Sequence, residues 1–128
     1  MRVLLDTHVL LWAKGEPDRL SPAAREVILD LGTQPIFSVA SVWEVIIKSA
    51  ASRGDFVVDA DQLRRELLQD GFEELEVTAP HVLEVGRLPR LHGDPFDRLL
   101  VAQARVEDLT IMTADRAVSA YPVASIPA

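Results

Sequence analysis

The sequence predicts an α/β fold built on a parallel sheet, and three observations carry that prediction. Short apolar runs alternate with stretches of helical periodicity along the whole chain. The first run, Met1 to Leu5, stops abruptly at Asp6-Thr7, as a central strand does where it hands over to a helix. Of 128 residues, 48% are hydrophobic and 26% charged, the balance of an ordinary globular chain with one core, so a single domain spanning 1–128 is expected.

Taken in order, the first helix carries Val9, Leu10, Trp12 and Ala13, and Gly15-Glu16-Pro17-Asp18 breaks it. Ser21-Pro22 opens a second helix expected to run through Leu31 and to stop at Gly32. Pro35 to Val39 reads as the second strand. A third helix follows from about Ser41 to Ser52, with Ser41 and Glu44 at capping-box spacing and Gly54-Asp55 closing it. Asp59 or Asp61 caps a helix through Leu63, Leu67 and Leu68 that ends at Gly71. Phe72 to Val77 alternates apolar and acidic residues, the pattern of a one-sided or edge strand. Thr78-Ala79-Pro80 starts a short helix expected to turn Val82, Leu83 and Val85 inward.

After a loop holding Arg87, Arg90 and His92, Asp94 has the character of an N-cap, Pro95 suits the first helical position, and Asp97 falls in the first turn. Phe96, Leu99, Leu100, Val101, Ala102 and Val106 make that helix mostly buried, with Arg98 and Arg105 on one polar edge. Thr110 to Met112 is a strand, Thr113-Ala114-Asp115 leads into a helical turn, and a last apolar run lies near Val123 to Ile126.

The composition narrows the chemistry. With no cysteine, a disulfide framework and a thiolate zinc site are excluded. A formal charge of −7 argues against a broad nucleic-acid-binding face, so any polyanion must be met locally. Asp6 and His8 interrupt the N-terminal apolar run too early for a signal peptide, and no stretch reaches membrane-spanning length; a cytoplasmic protein is expected.

Four acids share one context. Asp6 follows the first strand, Glu44 lies in the helix after the second, Asp97 opens the late central helix, and Asp115 follows the Thr110 strand. In an open parallel sheet such handovers converge outside the carboxyl ends of the strands, where these folds place ligands. Gathered carboxylates need a counter-charge, and a hard divalent ion, Mg²⁺ or Mn²⁺, supplies one. Each acid also has a plainer reading: Asp6 and Asp115 as helix caps, Glu44 as partner of Lys48 one turn on, Asp97 as complement to the helix dipole. An acid recurring at all four handovers is more specific than any one of them.

Leu4-Leu5-Asp6-Thr7-His8, the Ser41 to Glu44 helix start, Asp97 with Ala102 and Ala104, and Thr113-x-Asp115 resemble the successive motifs of PIN-domain ribonucleases. Within these the chain is similar to the VapC toxins of type II toxin-antitoxin pairs, especially the subgroup with a DTHxLLW start and an HGDPFDR segment. The resemblance implies a three-layer α/β/α sandwich around a parallel sheet of about five strands, and a Mg²⁺-dependent endoribonuclease in which Mn²⁺ can substitute. It implies that Asp6, Asp97 and Asp115 hold metal, that Glu44 ligates it or orients the attacking water, and that Thr7, Arg98, Thr113 and Arg116 are candidates for substrate contact. Lys14, Lys48, Arg87 and Arg90 are further rim cations, each with ordinary solvated surface as the simpler reading. Asp94, directly before Pro95, is read as the cap, while His8 and His92 are left between substrate, packing and catalytic roles. The implied partners are RNA, a cognate antitoxin and a second copy of the chain. Trp12, Trp43 and Ile47 serve either the core, which is the default for such bulk, or a partner groove.

Two other readings remain at this point. A non-catalytic PIN-like binding module keeps the fold, although matches at all four acids speak against it. A receiver-like signalling domain requires paired acids after the first strand and a late Lys, whereas one Asp stands there and no Lys follows Lys48.

Overall fold

A computed structural model describes residues 1–52, 54 and 57–128, so Asp55 of the expected Gly54-Asp55 stop lies outside the described residues. Five strands, β1 (Arg2–Leu5), β2 (Gln34–Ser38), β3 (Glu73–Leu75), β4 (Thr110–Thr113) and β5 (Ser125–Pro127), form one sheet of order β3-β2-β1-β4-β5. All four pairings are parallel. The helices are α1 (Thr7–Gly15), α2 (Pro22–Leu29), α3 (Val39–Ala51), α4 (Ala60–Gln69), α5 (Ala79–Val85), α6 (Pro95–Glu107) and the single turn α7 (Arg116–Ser119), with a 3₁₀ turn at Pro17–Arg19.

The alternation of side chains along the strands divides the core. Val3, Leu5, Phe37 and Met112 point to one face and meet Val9, Leu10, Ala24, Val45, Leu63 and Leu67. Leu4, Ile36 and Ile111 point to the other and meet Leu100, Val101, Ala104, Val118 and Tyr121. Both faces of the central strands are thus sealed by helices, which is why these strands are apolar throughout their middles and why the three-layer α/β/α expectation holds. Among the described residues, no helix is long and apolar enough to cross a membrane.

Several local expectations are corrected. The helix predicted from Ser41 starts at Val39, because Ser38 at the end of β2 is the N-cap: its hydroxyl accepts the Ala40 amide at 3.0 Å and donates to Gln103 Oε1 at 2.6 Å. Ser41 is therefore interior. α2 ends at Leu29, two residues short of Leu31, where Asp30 turns back to accept the Gly32 amide at 2.7 Å. Of Phe72 to Val77, only Glu73–Leu75 pair, at the sheet edge. Gly71 adopts φ +88° after α4, a left-handed turn that glycine enters without steric penalty. On α5, Val82 and Leu83 are exposed rather than inward. The inward stripe is buried His81, half-buried Val85 and then buried Leu88, because His81 Nδ1 accepts the Thr78 amide at 3.0 Å while its Nε2 lies 3.3 Å from Glu107. Trp43 and Ile47, assigned by default to the core, are also exposed.

Candidate functional site

The sheet order changes direction at β1, whose neighbours are β2 on one side and β4 on the other, and the candidate acids collect beyond the carboxyl ends of these strands. Leu5 pairs with Met112, and the Asp6 amide extends that ladder by donating to the Met112 carbonyl at 3.1 Å. Asp6 then caps α1, accepting the Val9 amide at 2.9 Å. The Thr113 hydroxyl donates toward the same carboxylate and accepts the Asp115 amide at 3.0 Å. Asp115 caps α7 by accepting the Ala117 amide at 2.8 Å. One threonine joins two of the four acids.

Glu44 arrives from the inward side of α3 and is 1% exposed. Lys48, one turn later, pairs with its Oε2, whereas Oε1 is buried with no partner among the described residues. Beside it, Thr7 Oγ1 donates to Ser41 Oγ at 2.9 Å, tying α1 to α3 in a buried contact.

Asp97 occupies the first turn of α6. Asp94 holds that turn, its Oδ1 accepting the amides of Phe96 at 2.9 Å and Asp97 at 3.1 Å, so the two acids of the HGDPFDR segment divide into a cap and an open carboxylate. His92 reaches back from the preceding loop: Nε2 lies 3.4 Å from Asp97 Oδ2 and Nδ1 lies 2.7 Å from the Tyr121 hydroxyl. Arg98 donates to that hydroxyl at 3.0 Å and to the Pro89 and Val85 carbonyls at 2.9 and 3.1 Å.

This crowding shifts proton affinities. Burial pushes the Asp6 carboxyl above its ordinary range, with the charge of Glu44 adding to it and the Thr113 hydroxyl and Val9 amide opposing it. Burial, then the charge of Asp94, then those of Asp6 and Glu44, push Asp97 up to about 6, against the hydrogen bond from His92. Burial disfavours the Lys48 ammonium, but its hydrogen bond to Glu44 and the charges of Glu44, Asp94 and Asp97 outweigh burial and hold its pKa above the usual value. Negative charge is therefore in excess here and calls for a cation.

The donor set fits a divalent one. His92, Asp97 and Asp115 each offer a ligand atom within 4.8 Å of the others, and Glu44 Oε1 is a buried carboxylate oxygen with no hydrogen-bond donor among the described residues. Asp6, His8, Trp12, Ala114, Asp115 and Arg116 line a cleft open to solvent beside this cluster.

Among the candidate contact residues, Arg116 is exposed on the wall of that cleft. Thr7 and Thr113 are buried with their hydroxyls engaged internally, and Arg98 is held by Tyr121 and two carbonyls. Lys14 pairs with Asp70 at 2.5 Å, whereas Arg90 lines a second hollow with His92, Gly93, Pro95 and Arg98. The participation of Tyr121, the chain's one tyrosine, is the feature that motif spacing missed. Its signal was faint: an aromatic with a polar tip just after α7, twenty-nine residues from the histidine it meets.

The PIN domain family model matches residues 3–123. Ribonuclease VapC22 of Mycobacterium tuberculosis (strain ATCC 25618 / H37Rv) is 31% identical over 125 residues, covering 89% of this chain and 87% of the relative. Among solved structures, VapBC2 from Rickettsia felis, bound to a DNA fragment from its promoter, contains a chain that matches with a TM-score of 0.74 at 16% identity, covering 99% of this chain and 98% of that one. A chain of FitAcB from Neisseria gonorrhoeae matches with a TM-score of 0.60 at 22% identity, covering 97% and 96%. At these identities the structural likeness speaks for the fold.

Proposed function

This chain belongs to the PIN-domain family, and from that premise we propose that it is a metal-dependent endoribonuclease acting as the toxin of a type II toxin-antitoxin pair in the cytoplasm. The single observation that carries the reading is the convergence of Asp6, Glu44, Asp97 and Asp115 at one sheet edge, with mutual repulsion felt at Asp6 and Asp97. Asp97 and Asp115, backed by Asp6, would hold Mg²⁺ or Mn²⁺. When bound, such an ion lowers the pKa of a water and neutralises charge on the phosphoryl group.

The chain's own residues do the rest. Glu44 presents its free Oε1 to accept a hydrogen bond from the attacking water and so orient it, while Lys48 keeps the other oxygen occupied. Asp94 and Thr113 fix the backbone on which Asp97 and Asp115 stand. Arg116, exposed beside Asp115, meets an RNA phosphate locally, which suits a chain too acidic to grip RNA over a wide face.

An antitoxin partner and a homodimer complete the reading. The antitoxin is supported by the structural neighbours that are VapBC complexes, and a protein-binding face by the apolar outer side of α3, where Trp43, Ile46 and Ile47 face solvent and Trp43 stacks edge-on against Phe96 at 5.2 Å. The decisive test is incubation of purified protein with structured RNAs and Mg²⁺ or Mn²⁺, with EDTA, Asp6→Asn and Asp97→Asn controls. Metal-dependent cleavage that both substitutions abolish is expected; cleavage indifferent to both would defeat the assignment. Co-purification with the product of a neighbouring small open reading frame tests the antitoxin.

A further inference from the structure

Resting on the metal-dependent reading above, we propose that His92 is a nitrogen ligand of the cation, sharing it with Asp97 and Asp115, and that Tyr121 and Arg98 hold the imidazole for that purpose. Three features carry this.

The first is spacing. His92 Nε2 and Asp97 Oδ2 are 3.4 Å apart, long for a hydrogen bond between a ring nitrogen and a carboxylate. Adjacent donors of an octahedral ion, each about 2.1 Å from it, are separated by about 3.0 Å, so the pair stands slightly open and closes onto an ion with a small shift of either side chain. Asp115 completes a triad whose ligand atoms lie within 4.8 Å of one another. Opposite vertices of an octahedron of that radius are about 4.2 Å apart, so the triad is of the size one ion spans once the exposed Asp115 side chain adjusts to it.

The second is the support behind the ring. An imidazole that binds metal through one nitrogen characteristically fixes the other with an outer partner. Here Nδ1 meets the Tyr121 hydroxyl at 2.7 Å, and Tyr121 is itself pinned by the Arg98 guanidinium at 3.0 Å and by ring contact with His92 at a centroid distance of 5.3 Å. Arg98 can only donate, so the phenol oxygen accepts from it. The phenol proton then has two destinations, His92 Nδ1 or, at 3.5 Å, the His92 carbonyl. In the first case the neutral ring carries its proton on Nε2 and donates to Asp97. In the second, Nδ1–H donates to the phenol oxygen and Nε2 turns a lone pair toward Asp97 and Asp115. The second tautomer is the ligating one.

The third is what surrounds the ring. His92 is half-buried, Asp97 is mostly covered, and Asp94, which stands nearby, is committed to capping α6. Two carboxylates and an imidazole favour Mn²⁺ over Mg²⁺ more than an all-oxygen set does.

The test uses Mn²⁺ alone with the purified full chain. Titration followed by electron paramagnetic resonance reads affinity, and electron spin echo envelope modulation detects a directly bound imidazole through its ¹⁴N coupling. The expected results are a clear ¹⁴N signature in the unmodified protein, its loss in His92→Gln with about tenfold weaker binding, and its retention in Tyr121→Phe with affinity reduced about tenfold, as for other outer-sphere partners. Mn²⁺ bound with no ¹⁴N coupling, or with a coupling that survives His92→Gln and vanishes in His8→Gln, overturns the proposal and leaves the metal-dependent reading intact. Failure of the unmodified chain to bind Mn²⁺ more tightly than Asp97→Asn overturns both.

Discussion

The junctions β1–α1 and β4–α7 are built alike and behave differently. Each ends a parallel strand with an aspartate that turns its carboxylate back onto an amide of the following helix, Val9 for Asp6 and Ala117 for Asp115. Yet Asp6 is buried and strained toward its protonated form, whereas Asp115 is exposed at the start of a single helical turn. Capping accounts for both positions; only burial beside Glu44 accounts for the difference. A carboxylate that capping alone required would gain nothing from being placed where ionisation is resisted.

The sharpest way to break that comparison is to remove charge while keeping the cap. Asparagine caps as well as aspartate does. Asp6→Asn should therefore preserve the fold and lower RNA cleavage by about a hundredfold or more, the scale of losing a central electrostatic group. Asp115→Asn should cost about tenfold, because an exposed ligand is replaced more easily by water. Equal losses in single-turnover cleavage would mean that the two junctions share one role.

Stability should order the same pair the opposite way. Without metal at neutral pH, Asp6→Asn should raise the melting temperature, since it removes a carboxyl whose ionisation the fold resists. Asp115→Ala should lower stability by about 1 kcal/mol through loss of the cap. Thr113→Val links the junctions in one experiment: it strands the Asp115 amide and frees Asp6, and should cost about 1–3 kcal/mol in denaturant unfolding.

The contrast also shows what could be read from residues alone. The alternation of strands and helices, the placing of acids at the handovers and the capping role of Asp94 were legible because each leaves a local mark: an apolar run, a break, an acid before proline. The start of α3 was not, since Ser38 and Ser41 are equally good caps on paper and the choice rests on Gln103, sixty-five residues away. Nor was the orientation of α5, where a buried histidine outcompeted two aliphatic neighbours because it satisfies the Thr78 amide while Val82 and Leu83 satisfy nothing. The setting of His92 between Tyr121 and Asp97 belongs to the same class: a loop's return path is decided by long-range contacts that sequence spacing does not encode.

The smallest expected effect is a pH slope, and its sign separates a metal site from a structural cluster. Asp97 takes up its proton near pH 6 in the fold, against an ordinary value of 3.8. Between those values the folded chain binds more protons than the unfolded one, so this group's contribution to stability is fully present below about pH 4 and is lost as pH rises through about 6. Asp6 acts in the same direction. Metal-free protein should lose a few degrees of melting temperature over that window, and Asp97→Asn should flatten the slope. Added Mn²⁺ should reverse it, because an ion competes with the proton for Asp97 and stabilises the fold increasingly as the carboxylate ionises. A slope of unchanged sign with saturating Mn²⁺ would mean that the acids of α6 and β1 repel one another without a cation to share.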